Sequence, residues 1–476
     1  MKIIAFILVV ICAVSLAFSQ EAKPTPELYS VQTLSDLQKI QKEALTDDFA
    51  LDQIAYLTYN IGPRLSGSPQ AQRAVEYVAD EMRKLGLDVR LQKVMVPHWV
   101  RGIETGELTE WNGMAKGTTQ KVVLTALGGS VATPENGLTA NIVVVGGWDE
   151  LNALGRKGVE GKIVLFNTKF DRELAASGFG GNAYGQAVQF RGGGPVAAAK
   201  LGAVAVLVRS AGGSQNRLAH AGATRYADGV EKIPAAAVTF EDAEMIAHLA
   251  KMGDVKIKLV LTPKTLPDVE SFNVIADLKG SEKPDEVVIV SGHLDSWDLG
   301  TGAIDDAAGV AVSMQVPYLL KKLNMQPKRT IRFIAWMNEE NGSRGGDAYF
   351  EEQKNNLSKQ FAAIEADLGS SHPLGYLFAG NREAMPYFTP LTNILRSQGA
   401  SLGQYQPGGV AEDINRLTEK GVPSFAPYFN TQTYFNYHHT AADTFDKVDP
   451  KQLGEVNSVM AVLAYGLANL EQPLPR

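Results

Sequence analysis

The sequence predicts an α/β fold in which a mostly parallel sheet is covered by helices on both faces and carries an inserted β-rich lobe. Two observations predict this fold. After residue 270, continuous apolar strands alternate with helical segments, and such strands are typical of parallel sheets that are buried on both faces. Between residues 117 and 270, short runs of Val, Ile and Ala are separated by many glycines, which indicates a smaller β-rich or α/β lobe.

Residues 1–19 have the pattern of a secretory signal peptide. One lysine is followed by an apolar run and then by small residues at positions 17 and 19, so cleavage is expected before Gln20. The run is short for a hydrocarbon core of about 30 Å, which argues against a membrane anchor. Cys12, the only cysteine, lies within this segment. We therefore expect an exported protein whose mature chain has neither a thiol nor a disulfide.

Length and charge limit the organisation and the partners of the chain. It has 476 residues, a formal net charge of −7 and an isoelectric point near 5.6. This balance offers no basic patch for nucleic acid or for an anionic membrane surface, so we expect neither partner. The length favours more than one domain. We predict a main domain built from residues 20–116 and 271–476, with the lobe at 117–270 inserted between its two parts.

Local signals place a helix and a strand in the first part of the main domain. Ser68 and Pro69 are typical of a helix N-terminus, and Gly86 is typical of the end of that helix. Residues 87–96 alternate as a strand does. In the lobe, the glycine-rich run 192–195 lacks the lysine and hydroxyl residue of a phosphate-binding loop, so it is interpreted as a turn.

Charged side chains follow three successive strands of the second part of the main domain. His293 follows the first strand, Glu339 and Glu340 follow the second, and Asp367 closes the third. In open α/β sheets, ligands bind outside the carboxyl ends of the strands. These three strands therefore bring an imidazole and several carboxylates to one edge of the sheet.

Two further segments add charge to this edge. Residues 291–309 contain one histidine and four aspartates, and the late segment YHHTAADT supplies His438, His439 and Asp443. Charges at this density resist desolvation unless a cation neutralises them, so we expect a metal site. Its ligands would be histidines and carboxylates, because the mature chain has no cysteine.

The number of candidate ligands favours two metal ions. A catalytic zinc ion takes about three protein ligands and keeps an open position. Two histidines, two aspartates and a glutamate exceed that number, but they suit two ions about 3.5–4 Å apart that share a bridging carboxylate. A further carboxylate must then move the proton. Glu339 and Glu340 lie just past a strand end, where the backbone can turn and direct both side chains inward, one as base and one as ligand.

Four segments resemble the signature segments of the co-catalytic di-zinc exopeptidases, a family that includes bacterial leucyl aminopeptidase and glutamate carboxypeptidase. These segments are GHLDSWDLGTGAIDD, WMNEENG, EADLG and YHHTAADT, in the family's order. NIGPRLSGSPQAQRAVEYVADEM resembles the family's N-terminal segment, and residues 117–270 resemble its inserted protease-associated lobe. The resemblance covers most of the mature chain. It implies a homodimeric exopeptidase with two Zn²⁺ per chain that hydrolyses dipeptides or short peptides, with the lobe forming part of the substrate pocket.

The resemblance also implies a role for each matching residue. Asp305 would bridge the two ions, and His293 and Glu340 would bind opposite ions. The full set of implied metal ligands is His293, Asp305, Glu340, Asp367 and His439. Glu339 matches the general base, which takes a proton from water and gives it to the leaving amine.

Further roles concern residues next to these ligands. Asp295 and Asp443 match carboxylates that orient the imidazoles of His293 and His439. His438 stands where many relatives have tyrosine, and we expect it to donate a hydrogen bond to the oxyanion. The resemblance also implies a cis peptide bond between Asp305 and Asp306.

Other charged residues are expected to have structural roles. Asp298 is interpreted as a loop residue. Asp306 could be a helix-cap residue instead of a member of the metal site. The remaining histidines are interpreted as surface or core residues, namely His98, His220, His248 and His372.

Two rival functions and the direction of cleavage are considered as well. Glutaminyl cyclases share the fold but bind a single zinc ion and lack the first histidine, so His293 argues against that class. A non-catalytic binding module on the same scaffold would have lost ligands or the base. A carboxypeptidase needs a cation for the terminal carboxylate of its substrate, whereas an aminopeptidase needs an acid or a metal for the free amine. Arg344, Arg382 and Arg416 are the candidate cations.

Overall fold

The structure is a computed structural model that describes residues 27–476. The predicted signal peptide and Cys12 lie outside the described residues. Twelve α-helices form within this range: α1 (Val31–Ala44), α2 (Phe49–Ala55), α3 (Pro69–Lys84), α4 (Trp148–Val159), α5 (Arg172–Leu174), α6 (Gly180–Lys200), α7 (Phe240–Ala250), α8 (Ala308–Lys322), α9 (Arg344–Gln353), α10 (Thr389–Leu395), α11 (Asn415–Glu419) and α12 (Pro450–Ala468).

The same residues form sixteen strands, which are arranged in two sheets. The strands are β1 (Asp88–Val100), β2 (Glu104–Glu110), β3 (Gln120–Val122), β4 (Leu124–Ala126), β5 (Leu138–Val145), β6 (Ile163–Phe166), β7 (Ala205–Arg209), β8 (Ala235–Val238), β9 (Lys256–Leu261), β10 (Lys264–Leu278), β11 (Lys283–His293), β12 (Arg329–Trp336), β13 (Gln360–Glu365), β14 (Pro373–Ala379), β15 (Leu402–Tyr405) and β16 (Ser424–Phe429).

The first sheet has the order β1-β10-β12-β11-β13-β16-β14-β15. Its central strands β12, β11, β13 and β16 are parallel, and antiparallel pairs join β1 to β10 and β10 to β12. Alternate residues of β11 enter two different cores: Val288 and Val290 pack with residues of α1, α3, α8 and α12, whereas Val287 and Ile289 pack with residues of α9 and α11. Helices therefore cover both faces of this sheet, and the predicted α/β class is confirmed.

Helix α3 begins and ends as its sequence predicts. Ser68 accepts a hydrogen bond from the backbone N–H of Ala71, and Pro69 is the first helical residue. The apolar face of α3, including Val75 and Val78, is fully buried against the first sheet. Gly86 follows the helix with φ +72°, a conformation that glycine adopts without strain.

The second sheet has the order β3-β2-β9-β5-β6-β7-β8-β4. Strands β5, β6, β7 and β8 are parallel. Parallel neighbours need crossover connections, and α4 and α6 lie between them in the chain. This part of the molecule is therefore α/β, which is one of the two alternatives that the sequence leaves open for the lobe.

The strands of the second sheet also differ from the predicted limits of 117 and 270. The sheet uses residues 104–261, because β2 pairs with β9 through Glu104 and Leu261, and β10 belongs to the first sheet. The sequence of β2, ETGELTE, has too few apolar residues to signal a strand. Two antiparallel strands of the first sheet lead to and from this region, and Val100 of β1 lies directly opposite Lys264 of β10.

The glycine-rich run at 192–195 is helical, which corrects its interpretation as a turn. It lies inside α6, whose buried residues Ala183, Ala187, Phe190 and Ala198 recur at helical spacing. A Cβ atom at Gly194 would lie 2.9 Å from the ring of Phe166, so the absence of a side chain lets the helix approach β6. Packing of α6 on the sheet outweighs the low helix propensity of glycine.

Among residues 27–476, none of the helices has the length and apolar character needed to cross a membrane.

Candidate metal centre

Three parallel strands end level with one another at the edge where the sequence predicts the site. His293, the last residue of β11, lies opposite Trp336 at the end of β12, and Ser291 lies opposite Glu365 at the end of β13. The loops that follow β12 and β13 carry Glu339, Glu340 and Asp367. The regular α/β topology thus brings these side chains together, as predicted.

A sharp turn after β12 separates the two neighbouring glutamates. Asn338 has φ +78°, and its backbone N–H donates to Asp295 Oδ1 at 2.8 Å. The N–H of Glu339 donates to the same oxygen at 3.1 Å. The Glu339 side chain lines an open cavity, whereas Glu340 is buried with its Oε2 atom 2.9 Å from His439 Nε2.

The contacts of Asp295 differ from the predicted ones. His293 Nδ1 lies 3.0 Å from the backbone oxygen of Asp295 but 3.9 Å from its carboxylate. The carboxylate instead accepts from the turn after β12 and, through Oδ2, from Ser66 Oγ at 2.8 Å. The imidazole is thus oriented by the backbone carbonyl, and the side chain of Asp295 holds the turn that places Glu339.

Asp305 lies between two groups of histidine and carboxylate ligands. Its Oδ1 atom is 3.1 Å from His293 Nε2, and its Oδ2 atom is 3.2 Å from His439 Nε2. Asp367 Oδ1 lies 3.2 Å from His293 Nε2 on one side, and Glu340 contacts His439 on the other. The peptide bond between Asp305 and Asp306 is cis, as the resemblance predicts.

The neighbouring Asp306 has contacts typical of a cap. Its carboxylate accepts from the backbone N–H of His293 at 3.0 Å and from that of Gly309 at 2.9 Å, at the start of α8. The interpretation as a helix-cap residue is therefore consistent with its hydrogen bonds.

Burial strongly perturbs the acids of this cluster. It raises the pKa of Glu339 well above the ordinary glutamate value, and the carboxylates of Asp367 and Glu340 raise it further. Burial also raises the pKa of Asp305, but the imidazoles of His438, His293 and His439 lower it by more, so this pKa lies well below the usual aspartate range. Positive charge near Asp305 therefore stabilises the cluster.

The donor set fits divalent zinc. The side-chain ligand atoms of His293, Asp305 and Glu340 lie within 4.8 Å of one another, as do those of His293, Asp306 and Asp367. Oδ2 of Asp305 is buried and has no hydrogen-bond partner among residues 27–476, so it is available to a cation. Imidazole nitrogens and carboxylate oxygens are the ligands that zinc takes when no thiolate is present.

Asp443 has a different contact from the predicted one. Its Oδ1 atom accepts from the backbone N–H groups of Ala303 and Ile304, both at 2.8 Å. His439 Nδ1 instead lies 3.3 Å from the carbonyl oxygen of Ala221 in the region of the second sheet. Asp443 therefore fixes the segment that carries Asp305, and the orientation of His439 depends on a residue more than two hundred positions away.

Arg64 is an organising residue that sequence reasoning missed. It is completely buried and donates to the backbone carbonyls of Leu294, Thr301 and Gly302 at 2.8 to 2.9 Å. These carbonyls lie in the segment between His293 and Asp305. Arg64 lies in NIGPRLSG, part of the segment that resembles the family's N-terminal segment. No local sequence pattern indicates which residues Arg64 contacts.

His220 is a second residue whose contact with the site sequence reasoning missed, although it is a buried residue, which agrees with its interpretation as a surface or core residue. It is 1% exposed, and its Nε2 atom lies 3.1 Å from His438 Nδ1. His438 in turn stacks on His439 with a centroid distance of 3.6 Å, and its Nε2 atom lies 3.4 Å from Asp305 Oδ2. Burial lowers the pKa of both His220 and His438 well below the ordinary histidine value.

A cavity of about 1420 Å³ opens over this cluster. The first wall, as named here, carries Glu339, Glu340 and Asp367, and the second wall is formed by residues of α6 and of the loop between β7 and β8. Its basic side chains within the described residues are Arg191, Lys200 and Arg225.

The three arginines proposed from sequence lie elsewhere. Arg344 pairs with Asp268, Arg416 pairs with Asp347 and Glu351, and Arg382 packs over the ring of Tyr405. The only sequence signal for a carboxylate-binding cation is the presence of an arginine. Residue type alone does not predict whether that arginine lies in the cavity.

Comparison with known proteins agrees with the fold and the site. The sequence pattern of peptidase family M28 matches residues 273–464. Carboxypeptidase Q of Bos taurus is 38% identical over 427 residues, which is 89% of this chain and 86% of that protein. The Homo sapiens carboxypeptidase Q is 37% identical over the same length. Aminopeptidase YwaD of Bacillus subtilis is 26% identical over 334 residues, covering 69% of this chain and 62% of that protein.

Solved structures give the same result. A peptidase M28 precursor from Shewanella amazonensis superposes with a TM-score of 0.86 at 35% identity, covering 94% of this chain and 99% of that one. A zinc aminopeptidase from Bacillus subtilis superposes with a TM-score of 0.63 at 22% identity, covering 90% of this chain and 98% of that one, a likeness that concerns the fold alone.

The fold, the donor cluster and these relatives define a zinc metallopeptidase of the exopeptidase class. The chain belongs to peptidase family M28, and its sequence is similar to the carboxypeptidases Q within that family. The resemblance drawn from the four sequence segments is thus confirmed.

Proposed function

We propose that the protein is an exported di-zinc exopeptidase that hydrolyses dipeptides or short peptides. The observation that carries this proposal is the position of Asp305, whose two carboxylate oxygens face His293 on one side and His439 on the other. In this arrangement His293 and Asp367 would hold one ion, His439 and Glu340 would hold the other, and Asp305 would be shared between them. The ligand set has the size expected for a co-catalytic pair.

Two zinc ions held there would polarise the substrate carbonyl and make water acidic enough to act as a nucleophile at neutral pH. Glu339 is the general base. Its side chain lines the cavity next to the ligand cluster. A pKa raised by burial matches a group that accepts a proton from water and then passes it to the leaving amine.

His438 stabilises the oxyanion in this proposal. Its ring lines the cavity between Asp305 and His220, and its Nε2 atom lies 3.4 Å from Asp305 Oδ2. A buried N–H donor at this position is suited to the negative charge that develops on the carbonyl oxygen.

The proposed direction of cleavage is that of a carboxypeptidase acting on dipeptides. Two observations support it: the similarity to carboxypeptidase Q, and the basic side chains of Arg191, Lys200 and Arg225 on the wall opposite the acidic cluster. A terminal carboxylate bound by these cations places the preceding peptide bond toward the acidic wall. We further propose a homodimer, a protease-associated identity for the second-sheet region, and export directed by residues 1–19.

The test combines metal analysis with hydrolysis of free, N-blocked and C-amidated dipeptides by the purified mature chain. We expect two equivalents of zinc and hydrolysis that requires a free carboxyl terminus. Hydrolysis that requires a free amino terminus would instead indicate an aminopeptidase. One equivalent of zinc with cyclisation of N-terminal glutamine would favour the cyclase class, and absence of both zinc and turnover would favour a binding module. Light scattering on the same sample would exclude the homodimer if it gave the mass of one chain.

A further inference from the structure

The loop between β7 and β8 brings two consecutive residues, His220 and Ala221, to the two histidines of the candidate metal centre. The loop spans residues 210–234, and its start is fixed because Ser210 Oγ accepts from the backbone N–H of His220 at 3.0 Å. Both His220 and Ala221 are buried. His220 contacts His438, and Ala221 contacts His439.

The contact between His220 and His438 determines which nitrogen of each ring carries the proton. The two rings share one hydrogen between His220 Nε2 and His438 Nδ1, which are 3.1 Å apart. His220 Nδ1 is buried and has no hydrogen-bond partner among the described residues. If His438 were the donor, the neutral His220 would carry its proton on Nδ1, as a buried N–H without an acceptor, and such groups are rare. His220 is therefore the donor.

The consequence for His438 follows from the chemistry of imidazole. A neutral ring that accepts at Nδ1 carries its single proton on Nε2. This Nε2 lies 3.4 Å from Asp305 Oδ2 and faces the cluster of candidate ligands. His220 thus makes His438 a hydrogen-bond donor toward the site.

Ala221 has the opposite effect on His439. Its backbone N–H donates to the carbonyl oxygen of His439 at 2.8 Å, and its own carbonyl oxygen lies 3.3 Å from His439 Nδ1, a nitrogen that also lies 3.4 Å from Arg191 Nη1. This reciprocal pair holds a residue whose φ of +60° is uncommon outside glycine. If Nδ1 donates to the Ala221 carbonyl, Nε2, which lies next to Glu340 and Asp305, presents a lone pair to a cation.

We propose that His220 and Ala221 are positioning residues that give two neighbouring histidines opposite roles: His438 presents an N–H to the substrate oxygen, and His439 presents a lone pair to the metal. This inference rests on the proposed function, since it concerns how that site is prepared. It assigns to the region of the second sheet a part in the reaction beyond forming a cavity wall.

The test begins with the tautomers in the unaltered protein. With ¹⁵N-labelled histidine, long-range ¹H–¹⁵N spectra of the zinc-loaded full-length mature chain report which ring nitrogens carry protons. We expect His438 and His220 as Nε2–H tautomers, with the assignment made from the spectra of His438→Ala and His220→Ala. A spectrum in which His438 carries its proton on Nδ1 would overturn the proposal without any reference to activity.

Kinetics of two variants give the second readout. His220→Ala is expected to keep its zinc content and to lower kcat by about 10- to 100-fold with little change in KM, the usual size of an effect exerted through a neighbouring group. His220→Gln keeps an N–H donor near Nε2 and is expected to recover most of kcat. His248→Ala, which removes an exposed histidine of α7, is the matched control and should behave as the unaltered protein.

Two results of these kinetics would contradict the proposal. An unchanged kcat in His220→Ala would exclude a role for His220, and equal losses in the Ala and Gln variants would assign it a packing role. Failure of the proposed function gives a different result, because the unaltered protein itself would then lack zinc or peptidase activity. The spectra would still report which nitrogen of His438 carries the proton, so the two failures can be told apart.

Discussion

The two walls of the cavity are built in different ways. The first sheet supplies acidic side chains from the ends of three adjacent strands, so their positions follow from regular topology. The region of the second sheet supplies basic side chains and His220 from one helix and from the loop between β7 and β8. Under the proposed function, this difference corresponds to a division of labour in which the first wall carries the proposed base and ligands, and the second wall carries groups that bind substrate and position two histidines.

The strongest test of this division is Asp305→Ala, because the proposed bridging ligand belongs to both halves of the ligand cluster. We expect zinc content to fall below one ion per chain and hydrolysis to fall below detection. Loss of bound zinc should also lower thermal stability, since a ligand present at about 100 times its Kd contributes about 2.7 kcal/mol. Metal analysis and calorimetry measure both effects. Asp298→Ala, in the same segment but paired with Arg101, is the matched control and should retain zinc.

Glu339→Gln should separate chemistry from metal binding on the same wall. Glutamine keeps the shape of the side chain but cannot accept a proton, so kcat should fall by about 10²- to 10⁴-fold. Zinc content should stay unchanged, because Glu339 is not among the proposed ligands. Turnover at the level of the unaltered enzyme would remove Glu339 from the mechanism and would require another base on this wall.

Arg191→Ala addresses the opposite wall and should have a smaller effect of a different kind. Arg191 is partly buried, and its Nη1 atom donates to Tyr184 Oη at 2.8 Å and to the carbonyl oxygen of Ala221 at 3.1 Å. Loss of a charged donor to a substrate carboxylate should raise KM about tenfold or more. Steady-state kinetics on a dipeptide and on its C-terminal amide measure this effect. The KM for the amide should be the same in the variant and in the unaltered enzyme. An equal increase in KM for both substrates would contradict carboxylate binding.

The smallest effect is expected for Arg156→Ala, an arginine of the same region that lies away from the cavity. Its exposed ion pair joins it to Glu160, the residue that follows α4, four positions along the chain. Such pairs contribute about 0.3–0.5 kcal/mol, so the free energy of unfolding should change by no more than this amount. Denaturant titration measures the change, and KM and kcat should not move. A kinetic effect here would show that the second wall acts through its overall charge.

The residues at strand ends could be predicted from the sequence, whereas residues with partners distant in the chain could not. His293, Glu339, Glu340 and Asp367 could be located because each follows an apolar strand, and strand order then brings them together. His220 and Arg64 could not be found in this way. Their partners lie 218 and 230 residues away, and nothing in their immediate sequence records those contacts.

Errors at the level of secondary structure and orientation have similar causes. The glycine-rich run in α6 was interpreted from local propensity, but a close approach to Phe166 favours glycine within that helix. The predicted roles of Asp295 and Asp443 assumed contacts between side chains. In the structure the imidazoles are oriented by backbone carbonyls, which every residue type provides, so no residue identity could have revealed them.

The pairing of Val100 with Lys264 has a consequence for how this molecule can be dissected. Because these two residues face each other across an antiparallel pair, a short hairpin turn such as Asn-Gly could join them directly. The shortened chain would retain every proposed zinc ligand and Glu339 while losing His220, Ala221 and Arg191 in one step. A single excision therefore offers a way to isolate the bare hydrolytic half and to ask what the remainder of the polypeptide adds to it.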